Sequence, residues 1–130
     1  MKDRELDFWD EDQWKAIIKD WPKSVKKTLG SRLRVVQKGK QPESGAKPLA
    51  DFKIAVWELW VRSGQRVIYT TAYAQINDCV HVLDAFEKDS REGGKMRKSD
   101  RKRIESRVTR LKEQIDKLVA EAEAQNRLLH

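Results

Sequence analysis

The sequence is poor in the residues that carry most metal, redox and nucleotide chemistry. Among 130 residues there are one cysteine and two histidines: Cys79, His81 and the terminal His130. One cysteine builds no internal disulfide framework, and no CxxC or HExxH spacing exists, so neither a metal nor another cofactor is expected. Cys79 and His81 alternate on one face of a strand pattern, where such residues are more often core than ligands. Glycine is sparse too. Gly93-Gly94 is too short for a phosphate cradle, and without a GxGxxG or Walker loop nucleotide-dependent chemistry has no support. No apolar run approaches the roughly 18 residues of a membrane span. The polar opening Met1-Lys2-Asp3-Arg4-Glu5 lacks the apolar stretch of a secretory signal. A cytoplasmic location and no membrane partner are the expectations.

What the chain does have is charge and tryptophan. It is 38% apolar and 38% charged, with five Trp as anchors for a core. At this length roughly 68% of the unfolded surface is buried on folding, enough for one core, so residues 1–130 read as a single domain. Lys and Arg number 28 against 21 acids, a net charge of +7, and they cluster. Residues 22–48 hold eight Lys or Arg against one acid, and residues 87–112 hold eleven against five, while both ends of the chain are net acidic. Such blocks gain affinity for a polyanion like RNA by counterion release, and a solvated helix face is the plain alternative. The second block, running from a strand end into a helix, is the stronger signal.

Glu5-Leu6-Asp7-Phe8-Trp9 alternates polar and apolar, the pattern of a short edge strand. Asp10 has an N-cap setting with Gln13 at the N3 position, and Trp9 and Trp14 occupy the two staple positions, which predicts a helix over Glu11 to Asp20. Pro22 suits a first helical turn. Val25, Leu29, Leu33 and Val36 then recur at spacings of four and three, the core stripe of a second helix. Gly39, Pro42, Gly45 and Pro48 make Lys38 to Pro48 a loop. From Ile54 to Phe86, runs of Val, Ile, Trp and Tyr broken at Ser63-Gly64 and Asn77-Asp78 predict a three-stranded antiparallel meander. In its first strand Ala55, Trp57, Leu59 and Val61 share the face suited to helices, and Glu58, Trp60 and Arg62 share the other. Gly93-Gly94 is a flexible connection. Ser99 or Asp100 then caps a helix carrying Ile104, Val108, Leu111, Ile115, Leu118, Ala122 and Leu129 at near-heptad spacing. At about 45 Å it exceeds what a small sheet covers, so its far end packs on a partner or frays.

A basic chain without a metal or a histidine pair fits one chemistry: attack of a ribose 2′-OH on the adjoining phosphate. Guanidinium and ammonium groups would stabilise the phosphorane charge. Such groups are weak bases, so the rate would come chiefly from positioning and electrostatics. A two-residue turn at Ser63-Gly64 brings Arg66 close to Arg62, and like charges there are unfavourable unless an anion answers them. That marks a candidate phosphate site, against the alternative of two solvated arginines at a turn.

The strings WELWVRSGQRVIY, HVLDAFEKDSR and RKRIESRVTRLKE together resemble, in order and spacing, the RelE/ParE toxin superfamily and its phage-derived, HigB-like branch. Trp21-Pro22 stands where that family opens a helix at Phe-Pro or Leu-Pro. Lys47-Pro48-Leu49 stands at its KPL segment, Val56 to Leu59 at its VxEL strand, Gln65 to Tyr69 at its YRxxY strand, Val82 to Lys88 at its VLHAFxKK strand, and Asp100 onward at its basic helix. The resemblance implies an α+β fold: a twisted antiparallel sheet of about four strands, flanked by two N-terminal helices and a long C-terminal helix at about 100–129. It also implies the toxin of a type II toxin–antitoxin pair, a metal-independent endoribonuclease that cuts mRNA on the ribosome and is held by a helix-turn-helix antitoxin. By position, Arg66 and Lys88 are the catalytic residues at the scissile phosphate, and Arg62 and Arg91 are substrate-binding neighbours.

Two positions depart from the pattern. Asp84 replaces the histidine of VLHAF and Asp89 the second lysine of AFxKK, and an acid repels RNA there unless it is paired or acts as the base. Tyr69 offers a general acid, although a strand Tyr is more often core. ParE-like members poison DNA gyrase instead. A gyrase inhibitor, or a degenerate toxin that only binds its antitoxin, is therefore the competing reading, favoured by Asp89 and the long terminal helix. A basic nucleic-acid-binding protein without toxin activity rests on the charge count alone.

Overall fold

A computed structural model describes residues 2–129. The chain runs β1 (Glu5–Phe8), α1 (Glu11–Ile18), α2 (Lys23–Gln37), β2 (Ala46–Leu49), β3 (Val56–Ser63), β4 (Val67–Ile76), β5 (Cys79–Asp89), a 3-10 turn at Ser90–Glu92, and α3 (Lys98–Leu129). The α+β architecture, with two helices near the N-terminus and a long one at the C-terminus, is the expected one. The sheet departs from expectation in two respects. It has five strands, in the order β1-β5-β4-β3-β2, and it is mixed, because β1 lies parallel to β5. Alternation identifies β1 as a strand but carries no information on the direction of a partner so distant in sequence. The second departure is β2, which lies in the stretch that Gly and Pro mark as loop. It pairs antiparallel with β3, Pro48 opposite Trp57, and an edge position tolerates the missing N–H.

Local chemistry starts the first helix as anticipated. The Asp10 carboxylate accepts from the Gln13 backbone N–H at 3.0 Å, with Glu11 and Asp12 in the first turn facing the positive end of the helix dipole. The reciprocal half of the capping box is absent, because the Gln13 side chain accepts from Arg107 instead. The helix stops at Ile18. Trp14 stacks against Phe8 at 4.9 Å, while Trp9 packs on the opposite side of the sheet, so the aromatic staple is made with Phe8. In α2 the stripe Val25, Leu29, Leu33 and Val36 is buried against Leu59, Tyr73, Val80, Val82 and Ala85. On the other face Ile104, Val108 and Leu111 of α3 pack on Val56, Ala72, Ala74, Leu83 and Phe86. The sheet is thus covered on both faces, by α1 and α2 on one and by α3 on the other.

Strand β5 changes parity midway. Tyr73 pairs with Val82 and Ala72 with Asp84, so Leu83 has no partner on β4. The extra residue turns Leu83 and Asp84 toward the same side. Val80 and Val82 accordingly pack with α2, whereas Leu83 and Phe86 pack with α3. Lys88, two residues beyond Phe86, follows it onto the α3 face. Without the bulge it would face α2.

The same bulge supplies the clamp for α3. Asp84 is 2% exposed and meets Arg103 Nε at 2.7 Å and Arg107 at 3.4 Å, and Arg103 also holds Asp100 at 2.7 Å. Burial pushes the Asp84 carboxyl above the usual carboxylate range, against the downward pull of Arg103. The helix begins at Lys98, so Ser99 and Asp100 lie inside its first turn and are not its caps. Burial along α3 ends at Leu111, and Leu118, Val119, Leu128 and Leu129 are exposed. Among the described residues no helix is long and apolar enough to cross a membrane.

Candidate functional site

The α3 face of the sheet is not covered along its whole length. Beyond the start of α3, the strand ends of β3, β4 and β5 leave a pocket of about 300 Å³ lined by Lys47, Glu58, Trp60, Arg62, Ile68, Lys88, Ser90, Gly93 and Gly94. Register explains the assembly. Ile68 of β4 stands opposite both Arg62 of β3 and Lys88 of β5, so one cross-strand row carries two cations on the same face. Glu58 and Trp60 share that face by strand alternation. Gly93 and Gly94 both have positive φ, 74° and 66°, and their backbone forms one wall. This pair forms a left-handed turn, a conformation in which glycine avoids the Cβ strain that most other residues meet. A Cβ on Gly94 would lie 3.3 Å from Ile68 Cδ1.

The sequence-derived site residues fall in the same region with different roles. Lys88 is buried, and its ammonium donates to both Glu58 oxygens, at 2.7 and 2.9 Å. Lys47 reaches the same carboxylate at 3.2 Å. Arg62 is exposed and lines the pocket. Arg66 lies in the β3–β4 turn, which spans residues 64–66 and is closed by the Ser63–Val67 pair, one residue longer than expected. Arg66 is exposed and does not line the pocket itself, but its carbonyl accepts from Ser90 N–H at 2.8 Å, which ties the turn to the pocket rim. Arg91 is engaged by Asp89 at 2.9 Å. That guanidinium, with the Arg91 backbone N–H and the charge of Arg66, holds the Asp89 carboxyl below the usual range.

The two acidic departures are therefore both paired, Asp84 with Arg103 and Arg107, Asp89 with Arg91. Tyr69 is away from the site, packed on Trp21 at 4.9 Å on the α1–α2 face. Cys79 and His81 are half-buried and line a groove beneath the end of α3, not the core.

Residues 16–109 match the family described as phage derived protein Gp49-like (DUF891). The chain belongs to that Gp49-like family. The matched span runs from α1 into α3 and contains every residue lining the pocket, together with Arg66 and Arg91. It excludes β1 and α3 beyond residue 109, so the family likeness covers α2, strands β2 to β5 and the start of α3. Searches of curated proteins and of solved structures returned no match.

Sequence reasoning did not assign Glu58, Lys47 or Trp60 to the site. A signal for two of them was present: Glu58 and Trp60 alternate with Arg62 on the strand face opposite the apolar one. Lys47 carried no such signal, because it lies on the strand read as a loop.

Proposed function

We propose that this Gp49-like protein is the toxin of a type II toxin–antitoxin pair and cleaves mRNA on the ribosome. The observation that carries this reading is the pocket where Lys47, Arg62 and Lys88 converge on one sheet face beside an exposed Arg66. The phage-derived family and the order of the strand motifs support it. Arg62 and Arg66 bind the phosphates flanking the scissile bond, and Arg91 borders them. Lys88 places its remaining N–H toward the reacting phosphate, since an ammonium has three donors and two are spent on Glu58. Glu58 holds the Lys88 and Lys47 ammonium groups in place. As the 2′-oxygen bonds to phosphorus the P–O5′ bond breaks, leaving a 2′,3′-cyclic phosphate and a 5′-hydroxyl. Water takes the 2′-OH proton and supplies one to the 5′-oxygen, while the cations stabilise the charge on the phosphorane oxygens. A helix-turn-helix antitoxin that masks this face, or bars access to the ribosome, keeps the toxin silent.

Induced expression tests this directly. Wild type should arrest growth with mRNA cut at codon boundaries, and Arg62→Ala, Arg66→Ala and Lys88→Met should each relieve the arrest at equal protein level. Arrest that persists in all three variants removes the pocket from the mechanism. Lys88→Glu is a poor probe, because it buries a second carboxylate beside Glu58.

A second reading has its own observation. Lys88 is engaged by Glu58 and Arg91 by Asp89, which leaves fewer uncommitted cations than a nuclease needs and favours a non-nucleolytic gyrase inhibitor or a toxin that only binds its antitoxin. DNA breaks and an SOS response without mRNA cleavage would decide for the first, and tight antitoxin binding without toxicity for the second.

A further inference from the structure

Four of the five tryptophans serve the core. Trp21 is buried, Trp14 and Trp57 pack with it on the α1–α2 side, and Trp9 packs on the α3 side. Trp60 belongs to neither cluster. It is half-buried and lines the pocket, a large aromatic surface set among charged groups. The ring joins neither apolar cluster, and the backbone that carries it is fixed on both sides. The Trp60 backbone N–H donates to the Gly45 carbonyl at 2.9 Å, its backbone carbonyl accepts from Arg32, and the residue pairs with Thr70 across the sheet. Gly45 is required for that approach, because a Cβ there would lie 2.7 Å from the Trp60 carbonyl oxygen and its φ is +73°. The Lys47 ammonium sits over the indole, 5.9 Å from the ring centroid, and Arg62 follows two residues along the same face.

An indole carried on a fixed strand beside two cations suits a nucleotide, with the base on the ring and the phosphate on the cations. We propose that Trp60 is the base-stacking platform of this pocket, that Lys47 and Arg62 hold the phosphate adjoining the stacked base, and that the ligand is single-stranded RNA. This rests on the RNA-cleaving reading above. A single strand is favoured over a duplex because a base must be unstacked to lie on a side chain. Stacking of this kind accepts every base, so Trp60 contributes affinity and register more than sequence choice.

The test uses the full chain and two short oligoribonucleotides blocked at the 2′ position, one with bases and one abasic at its central positions. Wild type should bind the base-bearing strand about tenfold to a hundredfold more tightly than the abasic one. Trp60→Leu should abolish that difference while leaving abasic binding in place, and Trp60→Phe should retain most of it. In parallel, nucleotide should quench tryptophan emission in wild type and not in Trp60→Phe, a comparison that stands even if the Leu variant folds poorly. A base preference unchanged in Trp60→Leu, or quenching unchanged in Trp60→Phe, overturns the platform while leaving the RNA reading intact. Failure of wild type to bind either strand overturns the platform, while the cleavage reading stands or falls on the induced-expression test.

Discussion

Glu58 and Lys88 show how much a single pair decides at the residue scale. Their side chains are only 2% and 5% exposed and touch at 2.7 Å, so neither charge has water to fall back on. Removing Glu58 strands the Lys88 ammonium, whereas removing Lys88 leaves Glu58 with Lys47 at 3.2 Å. Glu58→Met should cost about 3 kcal/mol in urea denaturation, and the double variant Glu58→Met with Lys88→Met should recover most of that loss, because apolar replacement of a whole buried pair is often neutral. A double variant no more stable than Glu58→Met would mean that the unpaired Lys88 charge is not what destabilises the single variant. His81 gives a second, pH-dependent outcome. Burial holds its imidazole below the ordinary value near 6.5, with Asp7 at 3.8 Å pulling the other way. Folding therefore favours the neutral ring. Its contribution to stability is complete above that ordinary value and is lost as pH falls through it toward the lower folded value. His81→Gln should flatten the drop in the urea midpoint between about pH 7.5 and pH 5, and a variant with the wild-type slope would contradict the assignment.

At the scale of elements, α3 is two helices in one. Its first half is clamped by Asp84, Arg103 and Arg107 and buries Ile104, Val108 and Leu111, whereas its last turns expose Leu128 and Leu129. Ile104→Ala should cost about 3 kcal/mol by thermal or urea unfolding, and Leu129→Ala should stay within about 0.5 kcal/mol. Comparable losses at both sites would show that the far end is packed in solution. The heptad spacing continues past Leu111, and the sequence alone does not reveal where burial stops, because periodicity reports a helix face and not the extent of what covers it. The strands carry a similar lesson. Alternation in β3 correctly assigned Trp57, Leu59 and Val61 to the α2 side. The single-residue bulge at Leu83 then reversed the parity of β5, and no local residue type announced it.

Across the whole molecule, charge is less available than its count implies. Of the basic block at residues 87–112, Arg91, Arg101, Arg103, Arg107 and Lys112 each hold a carboxylate. Much of that block fastens α3 to the sheet or stabilises its own turns. RNA binding should then depend on about four phosphate contacts at the pocket, which gives a slope of log K against log salt of roughly −3 for a single strand. A slope near about −8 would mean that RNA lies along α3 instead.

Apolar periodicity, capping and the strand motifs by themselves determined the helices, the β3–β5 meander and the candidate cations, because each is written in residues close together along the chain. Tertiary structure alone decided that β1 joins parallel, that β2 exists, that Lys88 is neutralised by Glu58, and that Trp60 has no place in the core. Each of these depends on which distant residue stands opposite, a matter of register and closure that local sequence does not encode.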